Sequence, residues 1–309
     1  MSDPTVGELP PHPLLRCFGG KWGLADWIIG HFPDHRTYVE PFGGGASVLL
    51  RKPPSRAEVY NDNDGEVVNL FRVAREHGDA LRRAIELTPY SRDELVLSHR
   101  ETDDSIERAR RTLVRCWMGY GDANACTASG FLRDSKRNGA VTWDAFADSI
   151  GVTIRRLRRV IIEHRNALDL ILEHDRPDTL FYVDAPYLKS AGRDIAVNPW
   201  TEMSIGEHER LADILRGVQG AVVLSGYAST HYRQFYPDWI CVRQDPRQAR
   251  VRRRRECLWL SREPNAPMPS RDTCAARRGA QSASMPRLRL LPADAFDDDE
   301  VHDGGETPL

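Results

Sequence analysis

Little in this chain points to metal, membrane or secretion. Its 309 residues include only six cysteines, and no two stand in a Cys-x-x-Cys spacing. That excludes the usual zinc frameworks and suggests reduced thiols in a cytoplasmic protein. No apolar run reaches the length of a membrane-spanning helix, so no membrane role is expected. Met1 to Pro13 is polar and proline-rich, without the apolar centre of a signal peptide. A strong net charge is also missing, but the value of −2 is unevenly spread. From Asp294 to Leu309 there are seven acids and no Lys or Arg, and subtracting −7 from −2 leaves +5 for residues 1–293. The larger part is therefore mildly basic, which admits a polyanionic partner. The stretch after Arg262 also lacks hydrophobic periodicity. It is rich in Pro, Ser, Ala and Arg before it turns acidic, and is expected to be a disordered tail. What remains, at 40% hydrophobic and 28% charged overall, suits a globular protein with one large core or two smaller ones.

Within that part, Phe181-Tyr182-Val183-Asp184-Ala185-Pro186-Tyr187 reads as a buried strand that ends abruptly. Leu180 to Val183 is strand-prone, and Pro186 cannot continue a ladder. Asp184 and Tyr187 then stand at the carboxyl end of a strand, where open α/β sheets place their ligands. A carboxylate, a backbone carbonyl at Ala185 and an aromatic ring within four residues suit work on a flat base carrying an exocyclic amine. The plain alternative is a strand followed by an ordinary turn.

A second block, Tyr38-Val39-Glu40-Pro41-Phe42-Gly43-Gly44-Gly45-Ala46-Ser47, is a strand end running into a glycine turn and a helix. Glycines let a backbone come close to a cofactor. Ala57 to Asp64 follows as a second strand ending in acids, the usual place for a ribose-binding carboxylate; Asp62 is the first choice and Asp64 the weaker one. Upstream, Gly19-Gly20-Lys21 is a tight turn leading into a helix with Leu24, Trp27, Ile28 and Ile29 on one face.

Taken together, these blocks resemble the DNA adenine-N6 methyltransferases of the Dam type, particularly their phage and prophage branch. Asp184-Ala185-Pro186-Tyr187 matches the family's catalytic Asp-Pro-Pro-Tyr in three positions of four. Phe42-Gly43-Gly44-Gly45-Ala46 resembles its Phe-x-Gly-x-Gly cofactor motif, with Ala46 in place of the last glycine. Cys17-Phe18-Gly19-Gly20-Lys21 resembles its opening aromatic-x-Gly-Gly-Lys, with Cys17 where the family has Trp or Tyr. The resemblance covers roughly residues 14–262 and implies an α/β, Rossmann-like doubly wound methyltransferase sheet with an inserted helical target-recognition domain. It implies a catalytic domain at 14–80 and 178–262, a recognition domain at 81–177, and disordered termini at 1–13 and 263–309.

By the same resemblance, Asp184, Ala185, Pro186 and Tyr187 are catalytic. Cys17, Lys21, Glu40, Phe42, Gly43, Gly44, Gly45, Asp62 and Asp184 bind S-adenosyl-L-methionine, with Lys21 on its carboxylate, Glu40 at its positive end and Asp62 on its ribose. The implied activity is methyl transfer to the N6 amine of adenine in double-stranded DNA, by a monomer with the target base flipped out and without a metal. Restriction-modification is one setting for such an enzyme. Cytosine-N4 methylation is the nearest alternative, although Asp rather than Ser at 184 argues for adenine. A degenerate DNA-binding module is another, given the departures at Cys17, Ala46 and Ala185.

The remaining blocks are read from pattern. Leu81 to Asp178 carries no strand signal and is rich in arginine, and Ile154 to Arg165 reads as a helix with Arg155, Arg156, Arg158, Arg159 and Arg165 on it. Those arginines are either solvated faces or phosphate contacts. Ser204 is the expected cap of a helix carrying His208, which reads as a packing residue rather than a base. Ala221 to Tyr227 and Glu256 to Leu260 read as strands. Arg247, Arg250 and Arg252 to Arg255 form a basic loop with phosphate contacts as the favoured role.

Overall fold

The computed structural model describes residues 9–16, 20–119, 130–132, 138–186, 203–244, 256–264 and 266–267. Among these the chain runs α1 (Ala25–Ile29), β1 (Thr37–Glu40), α2 (Ser47–Arg51), β2 (Ala57–Asn61) and α3 (Gly65–Glu76). Four helices follow: α4 (Gly78–Glu86), α5 (Arg92–Leu97), α6 (Ser105–Met118) and α7 (Gly139–Leu157). Next come β3 (Ile161–Glu163), α8 (Ala167–Glu173), β4 (Thr179–Val183) and α9 (Ile205–Gly217). The last elements are β5 (Ala221–Tyr227), α10 (Thr230–Phe235), β6 (Ile240–Arg243) and β7 (Glu256–Leu260).

All seven strands form one sheet in the order β3-β2-β1-β4-β5-β7-β6. The first five are parallel, and β7 is antiparallel to both β5 and β6. The order reverses between β1 and β4, so the crevice for ligands lies beyond the carboxyl ends of these two neighbours.

Both faces of the sheet are covered, which is why its strands read as nearly unbroken apolar runs. Alternate residues enter separate cores. Tyr38, Tyr60, Leu180 and Tyr182 pack with α1 to α4, α6 and α7. Val39, Val59, Phe181 and Val183 pack with α8, α9 and α10. Each such buried side chain contributes on the order of 1.5–3 kcal/mol. The helices start where side chains satisfy their first amides. Asp64 accepts from Glu66 and Val67 N–H at the start of α3. Ser204 and Glu207 form a reciprocal capping box at the start of α9.

The α/β expectation holds, but the helical reading of Ile154 to Arg165 is corrected. α7 stops at Leu157, and Ile161–Glu163 is an edge strand paired in parallel with β2. Three residues are too few for alternation to declare itself. α8 likewise packs in the second core beneath the sheet. Residues 161–163 thus belong to the main sheet and α8 to its cover. α4 to α7 are helical as expected, and α4, α6 and α7 share a core with β1 and β2. Residues 9–13, expected to be disordered, are described: Pro10 is buried and His12 meets the Trp117 ring edge-on. The basic loop at 247–255 and the tail from 268 on lie outside the described residues.

Candidate active site

Three carboxyl groups stand at the carboxyl ends of three adjacent parallel strands: Asp62 after β2, Glu40 closing β1 and Asp184 after β4. They reach the same crevice because parallel strands in register end together. Val39 pairs with both Val59 and Phe181.

The glycine turn closes one side. A Cβ at Gly43 would stand 2.1 Å from the Tyr60 ring, so only glycine fits there without displacing it. Gly44 has φ +47°, a conformation that disfavours other residues. Its amide donates to Asp62 Oδ2 at 2.7 Å, and its carbonyl accepts from the Tyr60 hydroxyl at 2.7 Å. Gly45 is buried in the same turn, and Phe42 is half-buried against the second core. Ala46 takes the left-handed conformation, with φ 50° and ψ 34°, which glycine adopts at no steric cost and an L side chain rarely does.

Asp62 also accepts from the Asp64 amide at 2.8 Å. Burial raises its pKa, and backbone donors from Asp64, Gly44 and Asn63 oppose that rise. Asp64 is committed as the cap of α3, which favours Asp62 of the two for a ligand hydroxyl. Glu40 is fully buried. It accepts from the Tyr38 hydroxyl at 2.9 Å and the Leu49 amide at 3.2 Å. Burial pushes its pKa up to about 8, and the nearby Asp184 charge adds to the rise. A proton held there at neutral pH marks a carboxyl that wants a cation beside it.

Lys21 lies at the centre of the other side. Its Nζ is 2.9 Å from Asp184 Oδ1 and 3.6 Å from Glu256 Oε1, and the side chain is 5% exposed. Burial lowers its pKa, but Asp184, Glu256 and Tyr227 outweigh burial, and the ammonium is held above its ordinary value. The resemblance assigned Lys21 to a cofactor carboxylate; in the structure its partners are Asp184 and Glu256. Ala185 is buried and Pro186 partly exposed, and Tyr182 beneath them shares a 3.1 Å hydrogen bond with Ser225. His208 is 2% exposed and hydrogen-bonded to the Pro186 backbone. Its burial, which lowers its pKa, fits packing rather than base catalysis. Cys17 and Tyr187 lie outside the described residues.

Sequence reasoning missed Tyr38, Tyr60 and Glu256. Tyr38 was legible in principle, because period-two spacing puts it on the same face as Glu40. Glu256 carried a weaker signal, a lone acid opening the apolar strand Glu256–Leu260. Its pairing opposite Tyr227, at the carboxyl end of β5, needs the sheet.

The family model for D12 class N6 adenine-specific DNA methyltransferases matches residues 18–244. A DNA adenine methylase of Vibrio cholerae is 22% identical over 244 residues, covering 72% of this chain and 84% of that protein. A DNA adenine methylase of Serratia marcescens is 29% identical over 109 residues, covering 34% of this chain and 40% of that protein. The match thus spans less than half of the Serratia protein. A solved rRNA methylase from Streptococcus thermophilus aligns over 78% of this chain and 94% of its own at 9% identity. The TM-score of that alignment is 0.33.

Proposed function

The chain belongs to the D12 class of N6 adenine-specific DNA methyltransferases, and from that premise we propose how its residues divide the reaction. The methyl acceptor is adenine in duplex DNA, at a particular site, and the enzyme acts as a monomer. Family membership implies S-adenosyl-L-methionine as the methyl source. The residues present fit that group: a glycine turn with room for close approach, a half-buried acid at Asp62 for a ribose hydroxyl, and a buried carboxyl at Glu40 for a cationic end. S-adenosyl-L-methionine supplies an electrophilic methyl group when bound.

The chain's own residues do the rest. The adenine amine is a poor nucleophile because its lone pair is delocalised into the ring. Asp184 and the Ala185 carbonyl accept hydrogen bonds from it and draw it towards tetrahedral geometry, while Tyr187 stacks on the flipped base. Positioning and fixed charge supply the rate, with no covalent enzyme intermediate. Ala185 in place of proline keeps the carbonyl, and Pro186 keeps Ala185 out of the helical region. Placement in the phage and prophage branch rests on motif resemblance alone.

The observation that carries this reading is the convergence of Asp62, Glu40 and Asp184 on the crevice where the strand order reverses. The test is transfer of labelled methyl groups from S-adenosyl-L-methionine to duplex DNA, with the modified base identified by mass. N6-methyladenine in wild type and none with Asp184→Ala is the expected result. N4-methylcytosine, or an inert wild type, would overturn it.

A further inference from the structure

We propose that Glu256, the first residue of β7, is a positioning residue for Asp184 and acts through Lys21. The proposal rests on the methyltransferase reading above. Lys21 makes a charge-assisted hydrogen bond to Asp184 at 2.9 Å and a looser ion pair with Glu256 at 3.6 Å. Moving Nζ by well under one bond length would exchange the two partners. All three side chains are largely buried, with Asp184 the most open at 22% and Glu256 at 10%.

This arrangement meets a problem that Asp184 faces. To accept from a target amine it must loosen from Lys21, and a buried ammonium left without a counter-charge is unfavourable. Glu256 supplies that counter-charge, so Lys21 stays ionised and in place while Asp184 turns to the base. It also sets the local charge: one ammonium and two carboxylates leave −1. Methyl transfer forms a carbon–nitrogen bond with the amine's electron pair and breaks a carbon–sulfur bond, whose pair stays on sulfur. The positive charge therefore passes to the nitrogen until a proton leaves to water. A net negative cluster beside that nitrogen stabilises the change; a neutral Lys21–Asp184 pair does so less.

The experiment compares Glu256→Gln, Glu256→Asp, Lys21→Met and the Gln–Met double variant in the full chain. Glu256→Gln is expected to lower kcat about tenfold or more, with KM for duplex DNA and S-adenosyl-L-methionine affinity within about threefold of wild type. Glu256→Asp keeps the charge and should recover most of the rate. The double variant should be no slower than Lys21→Met alone, because one residue acts through the other. Independently of activity, 15N NMR should show the Lys21 ammonium titrating at lower pH in Glu256→Gln than in wild type. An unchanged kcat, a matching fall in cofactor affinity, multiplying losses or an unmoved Lys21 titration overturns the proposal. If Glu256→Gln does not fold, Glu256→Asp decides: a kcat near wild type supports the proposal, and a tenfold fall overturns it. A wild type that methylates nothing would instead sink the parent reading, and the NMR titration separates the two failures.

Discussion

The sheet carries a buried lysine in an ion-pair cluster at each end, and the two clusters are built to opposite purposes. At the amino ends of the strands, Lys52 Nζ meets Glu58 Oε1 at 2.6 Å, the Pro53 carbonyl at 2.7 Å and the Ser55 hydroxyl at 2.7 Å. Arg156 from α7 grips the same carboxylate at 2.5 and 2.9 Å and donates to the Leu49 carbonyl at 2.7 Å. Burial alone would raise the Glu58 pKa, but Arg156 and Lys52 reverse that and hold it below the ordinary value. At the carboxyl ends, Lys21 faces two carboxylates across unequal distances, and Asp184 stays partly open to solvent. One cluster is closed around a single acid by two cations; the other divides one cation between two acids at the mouth of the crevice. The first is a fastening between α7 and the sheet, and the second has a charge to spare for chemistry.

The largest expected difference comes from breaking each cluster at its acid. Asp184→Ala should lower methyl transfer by about a thousandfold or more, equal to ~4 kcal/mol of barrier, with the melting temperature almost unchanged. Single-turnover rates above a tenth of wild type would remove Asp184 from the reacting centre. Glu58→Gln should do the reverse. It leaves two buried cations facing each other and is expected to lower stability by about 3–5 kcal/mol in urea unfolding, with kcat of the folded protein almost unchanged. Because the Glu58 pKa is depressed, its contribution is full above the unfolded carboxyl pKa and is lost as pH falls through the folded value.

This contrast marks what was legible in the sequence. The strand ends at Glu40, Asp62 and Asp184, the glycine turn, the cap at Ser204 and the β7 strand all carried local signals: apolar runs stopped by Gly, Pro or Asp. Arg156 did not. It sits among four other arginines and reads like them, as a solvated or phosphate-binding residue. Contacts with Glu58 and the Leu49 carbonyl, 98 and 107 positions away, hold it in the interior. β3 was hidden for the same reason, since three residues beside β2 owe their strand form to pairing rather than to pattern. Long-range charge pairs leave no period to read.

Asp62 and Lys21 sharpen the division between holding the cofactor and holding Asp184. Asp62→Asn should weaken S-adenosyl-L-methionine binding by about 1.5–3 kcal/mol in titration calorimetry, the range for a lost hydrogen bond to a charged group. Lys21→Met should change that affinity little and fall mainly on kcat. A loss of affinity in Lys21→Met as large as in Asp62→Asn would return Lys21 to the cofactor carboxylate.

Glu40 belongs to the carboxyl-end group but behaves differently, because burial has left it protonated near neutrality. Its pKa is about 8 in the folded chain, against 4.5 ordinarily. A carboxyl raised in this way contributes most to stability at low pH, and its contribution falls as pH rises between those two values. If the cationic end of S-adenosyl-L-methionine ionises Glu40, binding below pH 8 must expel a proton. Affinity should then rise by up to about tenfold per pH unit towards pH 8 and level off above it. Calorimetry in buffers of different ionisation enthalpy measures the released proton directly. A flat affinity profile with no proton release would remove Glu40 from the cofactor's neighbourhood.

The smallest effect is expected where the two ends meet. α2 joins the glycine turn to Lys52, and its Leu49 donates to Glu40 through its amide and accepts from Arg156 through its carbonyl. Ala46 opens this helix in the left-handed region, at φ 50°, as the only non-glycine residue with positive φ among those described. The strain of Cβ there is about 1–2 kcal/mol, and Ala46→Gly would relieve it. Two terms oppose that gain. Glycine adds roughly 0.4–1 kcal/mol of freedom to the unfolded chain. The Ala46 methyl, fully buried in the first core, contributes about 0.8 kcal/mol by burial. The three nearly cancel, so Ala46→Gly should change stability by less than about 1 kcal/mol and leave cofactor affinity within about twofold. That cancellation explains how alanine stands where the family motif has glycine without opening the turn. Urea unfolding decides: a gain above about 2 kcal/mol would show that the strain is not offset, and that α2 holds its two ends together under load.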